Sequence, residues 1–228
     1  MRLAPLPLMA LLLLSSACAA PGPLALRRSA MIAVPSGPLT PEGRPSPIPS
    51  FASASGRGAV DGEAIAATAR EYVGKRSVSG GGKYPEDCTG LVRAVYGRHG
   101  MDLLEGSEAG DSGVQAIWRF AQRHGELHRD HPRAGDVVFF SETYDRNRDG
   151  RENDGLTHVG IVESVEQDGT VRVIHRVANG VVSYRMNLGS PRQRADGRGR
   201  VVNDWLRAGK SSRLAGELFA GFATVARR

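Results

Sequence analysis

Apolar residues recur at helical spacing in three segments of the chain, between polar stretches that can start or end a helix. A first helix is predicted over about residues 61–72 and a second over about residues 88–100. A third is predicted over residues 113–124, after Asp111-Ser112, which can act as an N-cap. The first part of the folded region is therefore predicted to be helical.

The hydrophobic period changes to that of β-strands after about residue 132. Short runs of Val, Ile and Phe predict buried strands, and Asp-Gly and Asn-Gly pairs predict tight hairpin turns. The predicted strands cover residues 136–140, 157–165, 170–177 and 181–188, with a further strand near 201–206. Helices followed by an antiparallel meander predict an α+β fold.

The tail of the chain carries apolar residues at a spacing that fits a helix. Leu214, Leu218, Phe219 and Phe222 would lie on one side of such a helix. We therefore predict a folded domain over residues 59–228 that ends in a C-terminal helix packed on the rest.

The first 58 residues have the composition of targeting and linker segments. Residues 1–18 combine an early arginine, an apolar run and a region of small residues, which predicts a signal peptide and export. The apolar run is too short for a membrane span. Residues 19–58 are rich in Pro, Ala and Ser and lack apolar periodicity, which predicts a disordered tether.

The small-residue region also resembles a bacterial lipobox, since it reads Ser-Ser-Ala-Cys up to Cys18. In that interpretation cleavage occurs before Cys18, which is then lipidated and anchors the protein in a membrane. Ser15 stands where a lipobox usually has Leu. Ordinary signal cleavage near Ala20 is the alternative.

The formal net charge of +6 is concentrated in the N-terminal segment. The first 60 residues hold five arginines and one acidic residue, which leaves 25 basic and 23 acidic residues and a net charge of +2 for the rest. A domain this close to balance has no electrostatic footprint for nucleic acid.

Cys88 lies at the predicted start of the second helix, where the positive end of the helix dipole favours a thiolate. The only other cysteine is Cys18, so Cys88 would be the single free thiol of an exported domain, with no disulfide partner. A free cysteine can equally be a small buried core residue. Its position alone does not decide between these two interpretations.

His158 and His175 lie on two strands joined by the predicted hairpin at residues 168–169. Pairing about that turn would bring them together on one face of the ribbon. Four further histidines fall at helix ends or in a charged loop and are predicted to be solvated residues or caps (His99, His124, His128 and His131). A thiol at a helix start with two nearby imidazoles can supply a nucleophile, a base and a residue that orients the base.

Four sequence blocks resemble the NlpC/P60 cysteine peptidases, in the order that this family has them. They are D-C-T-G-L-V at 87–92, G-D-V-V-F-F at 135–140, H-V-G-I at 158–161 and I-H at 174–175. The related CHAP amidases share this arrangement, and I-V-E-S-V at 161–165 resembles them. The blocks cover roughly residues 61–188.

The resemblance implies a papain-like fold and cleavage of peptide or amide bonds in peptidoglycan stem peptides. It implies Cys88 as nucleophile, His158 as general base and His175 as the orienting residue, with the backbone N–H of Cys88 in the oxyanion hole. It also implies a supporting tyrosine, for which both Tyr72 and Tyr84 qualify by position. The chain departs from the family pattern at Thr89, where Ser is usual, and in the long segment between the two histidines.

An oxygen-rich insertion precedes His158 and matches the start of a calcium loop, D-x-N-x-D-G. The candidate ligands are Asp145, Asn147, Asp149 and Asn153, with Asp154 as an alternative to the last. Leu156 occupies the position where an EF-hand has Glu, so the loop is not an EF-hand. A solvated, charged hairpin loop is the other interpretation, and no cofactor is expected to be required for the reaction itself.

The sequence therefore favours an exported, lipid-anchored cysteine peptidase or amidase that acts on peptidoglycan. Two alternatives remain: a wall-binding lipoprotein without turnover, and an acyltransferase or deamidase that uses the same residues on another substrate.

Overall fold

The structure is a computed structural model that describes residues 61–78, 81–207 and 212–225. The predicted signal peptide, the lipidation site at Cys18 and the tether lie outside the described residues. Within the described ranges, no helix is long and apolar enough to cross a membrane.

The described part of the chain contains three α-helices, and they begin at polar caps. They are α1 (Gly62–Arg70), α2 (Cys88–Arg98) and α3 (Gly113–His124). Asp61, Asp87 and Ser112 cap them by accepting hydrogen bonds from backbone N–H groups of the first turn, as Asp and Ser side chains do at this position. The three predicted helices are therefore confirmed, with α1 about two residues shorter than predicted.

Two antiparallel sheets follow in the described residues, one of six strands and one of two. The six-stranded sheet has the order β1 (Gly125–His128), β8 (Phe219–Val225), β2 (Val137–Ser141), β3 (Leu156–Val165), β4 (Thr170–Val177) and β5 (Gly180–Asn187). The small sheet pairs β6 (Trp205–Arg207) with β7 (Arg213–Leu214). Since β2 to β5 form the predicted meander, the α+β fold class is confirmed.

The predicted C-terminal helix is wrong, because the tail forms β7 and β8 instead. Strand β8 lies between β1 and β2, where Ala223 pairs with both Leu127 and Val137. Its side chains alternate between the two faces of the sheet, with Phe222 on one face and Ala223 on the other. A short apolar run fits a helix or a buried strand equally well, and its long-range pairing decides between them.

Two apolar clusters cover the two faces of the sheet. One joins the inner faces of the helices to Phe139, Val159 and Ile161. The other contains Phe140 and Val162 and is closed by residues that follow β5 and β7. The sheet is thus buried on both faces, and the start of α2 packs against β3 within the first cluster.

Candidate functional site

Cys88 is the first residue of α2, and the loop before it fixes its position. The Asp87 carboxylate accepts hydrogen bonds from the Gly90 backbone N–H at 2.9 Å and from the Thr89 hydroxyl at 2.7 Å. A side chain at Gly90 would overlap the carbonyl oxygen of Pro85, so only glycine lets the loop cross the first turn this closely. The Cys88 side chain is half-buried as a result.

His158 and His175 form a buried pair of imidazoles on β3 and β4. Nε2 of His158 lies 2.8 Å from Nδ1 of His175, and their side chains share the face that also carries Val162 and Val173. Between them, Gly160 leaves no room for a Cβ, which would stand 3.1 Å from the Cβ of His175. The structure thus brings together the two histidines that the hairpin pairing predicts to be neighbours.

The charge state predicted for Cys88 is wrong. Burial raises the pKa of the Cys88 thiol to about 11, and the carboxylate of Asp87 raises it further. Backbone N–H groups, including that of Val159, oppose this shift without reversing it. The helix dipole favours a thiolate in water, but desolvation and an adjacent carboxylate outweigh it here, so the resting group is a thiol.

Both imidazoles are neutral at neutral pH. Burial lowers the pKa of His158 to about 4, while the charge of Asp87 acts in the opposite direction. Burial also holds the pKa of His175 well below its ordinary value, and the neighbouring His158 lowers it further. The resting site is therefore a neutral thiol beside a neutral imidazole pair.

Cys88 and His158 line the same cleft, which has a volume of about 640 Å³. Its walls come from the loop before α2, the start of α3, the segment around residues 143–146 and the ends of β3 and β4. Two acidic residues, Glu86 and Asp87, and two arginines, Arg146 and Arg176, line it as well. Glu86 and Arg176 form an ion pair at 3.2 Å, so the opening carries charges of both signs.

Some lining residues were not named as site candidates from the sequence, among them Arg176, Asp87 and Tyr144. Arg176 directly follows His175, and Asp87 directly precedes Cys88. Both could therefore have been identified from their position next to a predicted site residue. Tyr144 lines the cleft with about half of its surface exposed, and no sequence pattern distinguishes it from a loop residue.

Neither Tyr72 nor Tyr84, the two candidates for a supporting tyrosine, lines the cleft. Tyr72 packs against the helical core, with the amine of Lys75 over its ring. Tyr84 lies against α2 at Gly97, under the guanidinium of Arg93. Although both tyrosines precede Cys88 in the sequence, neither lies in the cleft, because both pack along the helices.

The oxygen-rich loop before β3 is folded around its own side chains. The Asp145 carboxylate accepts a hydrogen bond from the Gly150 backbone N–H at 2.8 Å, and Asn147 accepts one from the Asp149 N–H at 2.9 Å. Asn153 donates to the Asp149 carboxylate at 2.8 Å. The second oxygen of Asp145 is buried and has no hydrogen-bond partner among the described residues.

Asp154 stabilises the fold of this loop by hydrogen bonds to its backbone. Its carboxylate is buried and accepts hydrogen bonds from the backbone N–H groups of Arg146 and Asn147. Across residues 61–78, 81–207 and 212–225, no cluster of three or more His, Cys, Asp or Glu side chains is close enough to hold a metal ion. Any cation here would therefore depend on amide and backbone oxygens as well as carboxylates.

A second histidine cluster lies elsewhere on the sheet, at a residue predicted to be a solvated loop histidine. His128 belongs to β1, and its Nε2 lies 3.4 Å from the buried carboxylate of Asp136 and 3.2 Å from the hydroxyl of Thr224. Thr224 donates to Asp136 at 2.8 Å, and Nδ1 of His128 lies 2.6 Å from the Asp130 carbonyl oxygen. The loop prediction failed because β1 forms only by pairing with the tail strand β8.

Comparison with known protein families gives one match. Residues 78–176 match the CHAP domain, and this segment includes Cys88, His158 and His175. No curated protein matches the chain.

Proposed function

Because residues 78–176 match the CHAP domain, a family in the group of cysteine peptidases and amidases related to NlpC/P60, we propose that the protein cleaves peptide or amide bonds in peptidoglycan. The chemistry would be that of a Cys–His–His hydrolase with a papain-like arrangement. The observation that carries this proposal is a thiol at a helix start that shares one cleft with a buried imidazole pair.

In the first step Cys88 is the nucleophile and His158 the general base. Nε2 of His158 is engaged with His175, which leaves Nδ1 as the nitrogen for the thiol proton. As Sγ attacks the scissile carbonyl carbon, the proton moves to Nδ1 and the carbonyl oxygen becomes an oxyanion. The backbone N–H of Cys88, one of the free donors at the helix start, would stabilise that oxyanion.

The intermediate then collapses to an acyl-enzyme. The C–N bond breaks, His158 returns its proton to the leaving nitrogen, and an amine departs while a thioester remains on Cys88. Water attacks the thioester with His158 again taking a proton, and a carboxylic acid and the free thiol are released. His175 accepts a hydrogen bond from His158 throughout and thereby holds its ring in one orientation.

The neutral resting site agrees with this sequence of steps. An imidazole whose pKa is lowered to about 4 is unprotonated at neutral pH, so its ring nitrogen has a free lone pair for the thiol proton. The thiolate then exists only while the new bond forms, rather than as a standing ion pair.

The test is to incubate the purified protein with peptidoglycan, beside a Cys88→Ala variant, and to identify the released fragments by mass. We expect new fragments from the native protein and none from the variant, and their masses would identify the bond. No fragments from either protein would overturn the proposal. That outcome would favour a wall-binding role if the protein sediments with peptidoglycan, or another acyl substrate if it does not.

Export and a lipid anchor at Cys18 are part of the same proposal, supported by the sequence of the first 58 residues. In a bacterial host, the native protein should partition with membranes and a Cys18→Ala variant should not. A native protein found in the soluble fraction with its N-terminus near Ala20 would favour ordinary signal cleavage.

For the loop before β3 we propose a structural Ca²⁺, supported by the partnerless buried oxygen of Asp145 and by Gly150, which adopts a φ of 78° in the tight turn. Asp145, Asn147 and Asp149 would contribute oxygen ligands. Calorimetric titration with CaCl₂ should give heat with the native protein and none with Asp145→Ala. The absence of heat with the native protein would contradict this proposal.

A further inference from the structure

His175 has one ring nitrogen that the hydrogen-bond network does not use. The side chain is only 1% exposed, and its Nε2 has no hydrogen-bond partner among the described residues. Its other nitrogen, Nδ1, lies 2.8 Å from Nε2 of His158. A buried polar atom without a partner is costly, so this nitrogen needs an explanation.

The proton on His175 decides whether His158 can act as a base. Both rings are neutral, so only one proton lies between the two nitrogens that face each other at 2.8 Å. If His158 donates it from Nε2, then Nδ1 of His158 is free to accept a proton, and His175 must carry its own proton on Nε2. If His175 donates from Nδ1 instead, His158 carries its proton on Nδ1 and cannot accept one from the thiol.

Tyr184 lies beside His175 on the neighbouring strand. In the pairing of β4 with β5, Val173 is opposite Tyr184, so Tyr184 and His175 are diagonal neighbours on one face of the sheet. Their ring centroids are 4.5 Å apart, and the ring planes meet at 70°. This is an edge-to-face contact, the geometry in which an N–H can point at an aromatic ring.

The direction of the two nitrogens places Nε2 on the side of Tyr184. The two nitrogens of an imidazole point to nearly opposite sides of the ring. Nδ1 of His175 faces His158 on β3, so Nε2 faces the other neighbouring strand, β5, which carries Tyr184. The Tyr184 ring therefore lies on the side to which the unused nitrogen points.

We propose that Tyr184 is a positioning residue, whose ring accepts the Nε2–H of His175 and so holds the tautomer in which His158 Nδ1 is free to act as the base. The contact with the ring stabilises this tautomer only, because a bare Nε2 lone pair facing the ring's negative π-face is repelled. The tautomer assignment stands on the geometry alone, whereas its effect on turnover rests on the proposed hydrolase function.

The test compares Tyr184→Leu, which removes the ring, with Tyr184→Phe, which keeps it. Protein labelled with ¹⁵N-histidine would be studied by NMR at neutral pH, where the shifts of Nδ1 and Nε2 report which nitrogen carries the proton. We expect His175 to be protonated on Nε2 in the native and Phe proteins. In the Leu variant, the share of the Nδ1–H tautomer should rise about 3- to 10-fold, as for the loss of one weak hydrogen bond.

The native spectrum tests the proposal without any substitution. Protonation of native His175 on Nδ1 would overturn it, and so would a Leu variant that keeps the native tautomer. In peptidoglycan cleavage the Leu variant should lose at most about 3- to 10-fold in kcat, in proportion to the fall in the share of the Nε2–H tautomer, with little change in KM, and the Phe variant should keep native kcat. If the native protein cleaves no peptidoglycan but the tautomer shifts as expected, the proposed hydrolase function fails and the tautomer assignment stands.

Discussion

Two histidine clusters lie on the same sheet, and they differ in what faces the imidazole. In the cleft, His158 contacts another neutral imidazole, and both rings are buried. On β1, His128 faces the buried carboxylate of Asp136 and the Thr224 hydroxyl. Burial without a carboxylate in contact keeps the cleft imidazoles neutral, whereas His128 lies in a network of polar groups that includes a carboxylate.

This difference assigns the two clusters to different tasks. His158 of the cleft pair lines the same cleft as Cys88, so the thiol can supply the proton. The His128 cluster instead joins three strands, because His128 belongs to β1, Thr224 belongs to β8, and Asp136 directly precedes β2. We infer that the first serves chemistry and the second serves stability.

The largest expected effect comes from removing one histidine of each cluster in turn. His158→Gln should lower kcat/KM for peptidoglycan cleavage by about 10²- to 10⁴-fold, since it removes the proposed general base. His128→Gln should leave the rate near the native value. Equal losses in the two variants, with both proteins folded by circular dichroism, would remove the distinction.

A second expected effect concerns the reactivity of the Cys88 thiol. With the pKa of Cys88 raised to about 11, its alkylation by iodoacetamide should become about tenfold faster per pH unit from about pH 6 to pH 9. A thiolate held by a charged imidazole would react at a constant rate over this range. A flat profile in the native protein that becomes steep in His158→Gln would therefore contradict the neutral resting site.

Part of the fold and of the candidate site follows from local patterns in the sequence. Strands β3 and β4 follow from apolar runs on either side of Asp168-Gly169, and the pairing that this turn imposes brings His158 to His175. Likewise, apolar residues at helical spacing after Cys88 predict α2. Both features depend on residues close together in the chain.

The errors arose where distant segments or solvent exclusion decide. The tail and β1 become strands only by pairing with each other and with β2, which no short window of sequence contains. The charge state of Cys88 depends on its burial in the folded protein, and the helix dipole alone predicts the opposite sign. Tyr184 is likewise brought to the site only by the pairing of β4 with β5.

A third expected effect is a loss of stability in acid that is specific to the cleft pair. The unfolded chain binds a proton at His158 with the ordinary pKa of 6.5, whereas the folded protein binds it only near pH 4. Protons therefore favour unfolding as the pH falls through this window, by about 3 kcal/mol for His158, and His175 acts in the same direction.

Urea unfolding between about pH 7 and pH 4 would measure this dependence. The native protein should lose stability steeply, and His158→Gln should show a shallower loss. His128→Gln controls for the removal of a histidine and should retain the steep dependence of the cleft pair. A His158→Gln variant as sensitive to acid as the native protein would show that the pair is not the source.

The smallest expected effect tests the stabilising role of the other cluster. Thr224 donates a hydrogen bond of 2.8 Å to Asp136, whose side chain is only 3% exposed. Thr224→Val has nearly the same shape but leaves this oxygen without its donor, so it should lower the free energy of unfolding by about 1 kcal/mol.

Thr224→Ser keeps the hydroxyl and serves as the matched control. Denaturant unfolding should separate the two variants while peptidoglycan cleavage by both stays native, because no residue of the His128 cluster lines the cleft. A Val variant that is as stable as the native protein, or that loses activity without losing stability, would mean that the two clusters do not divide chemistry from stability in this way.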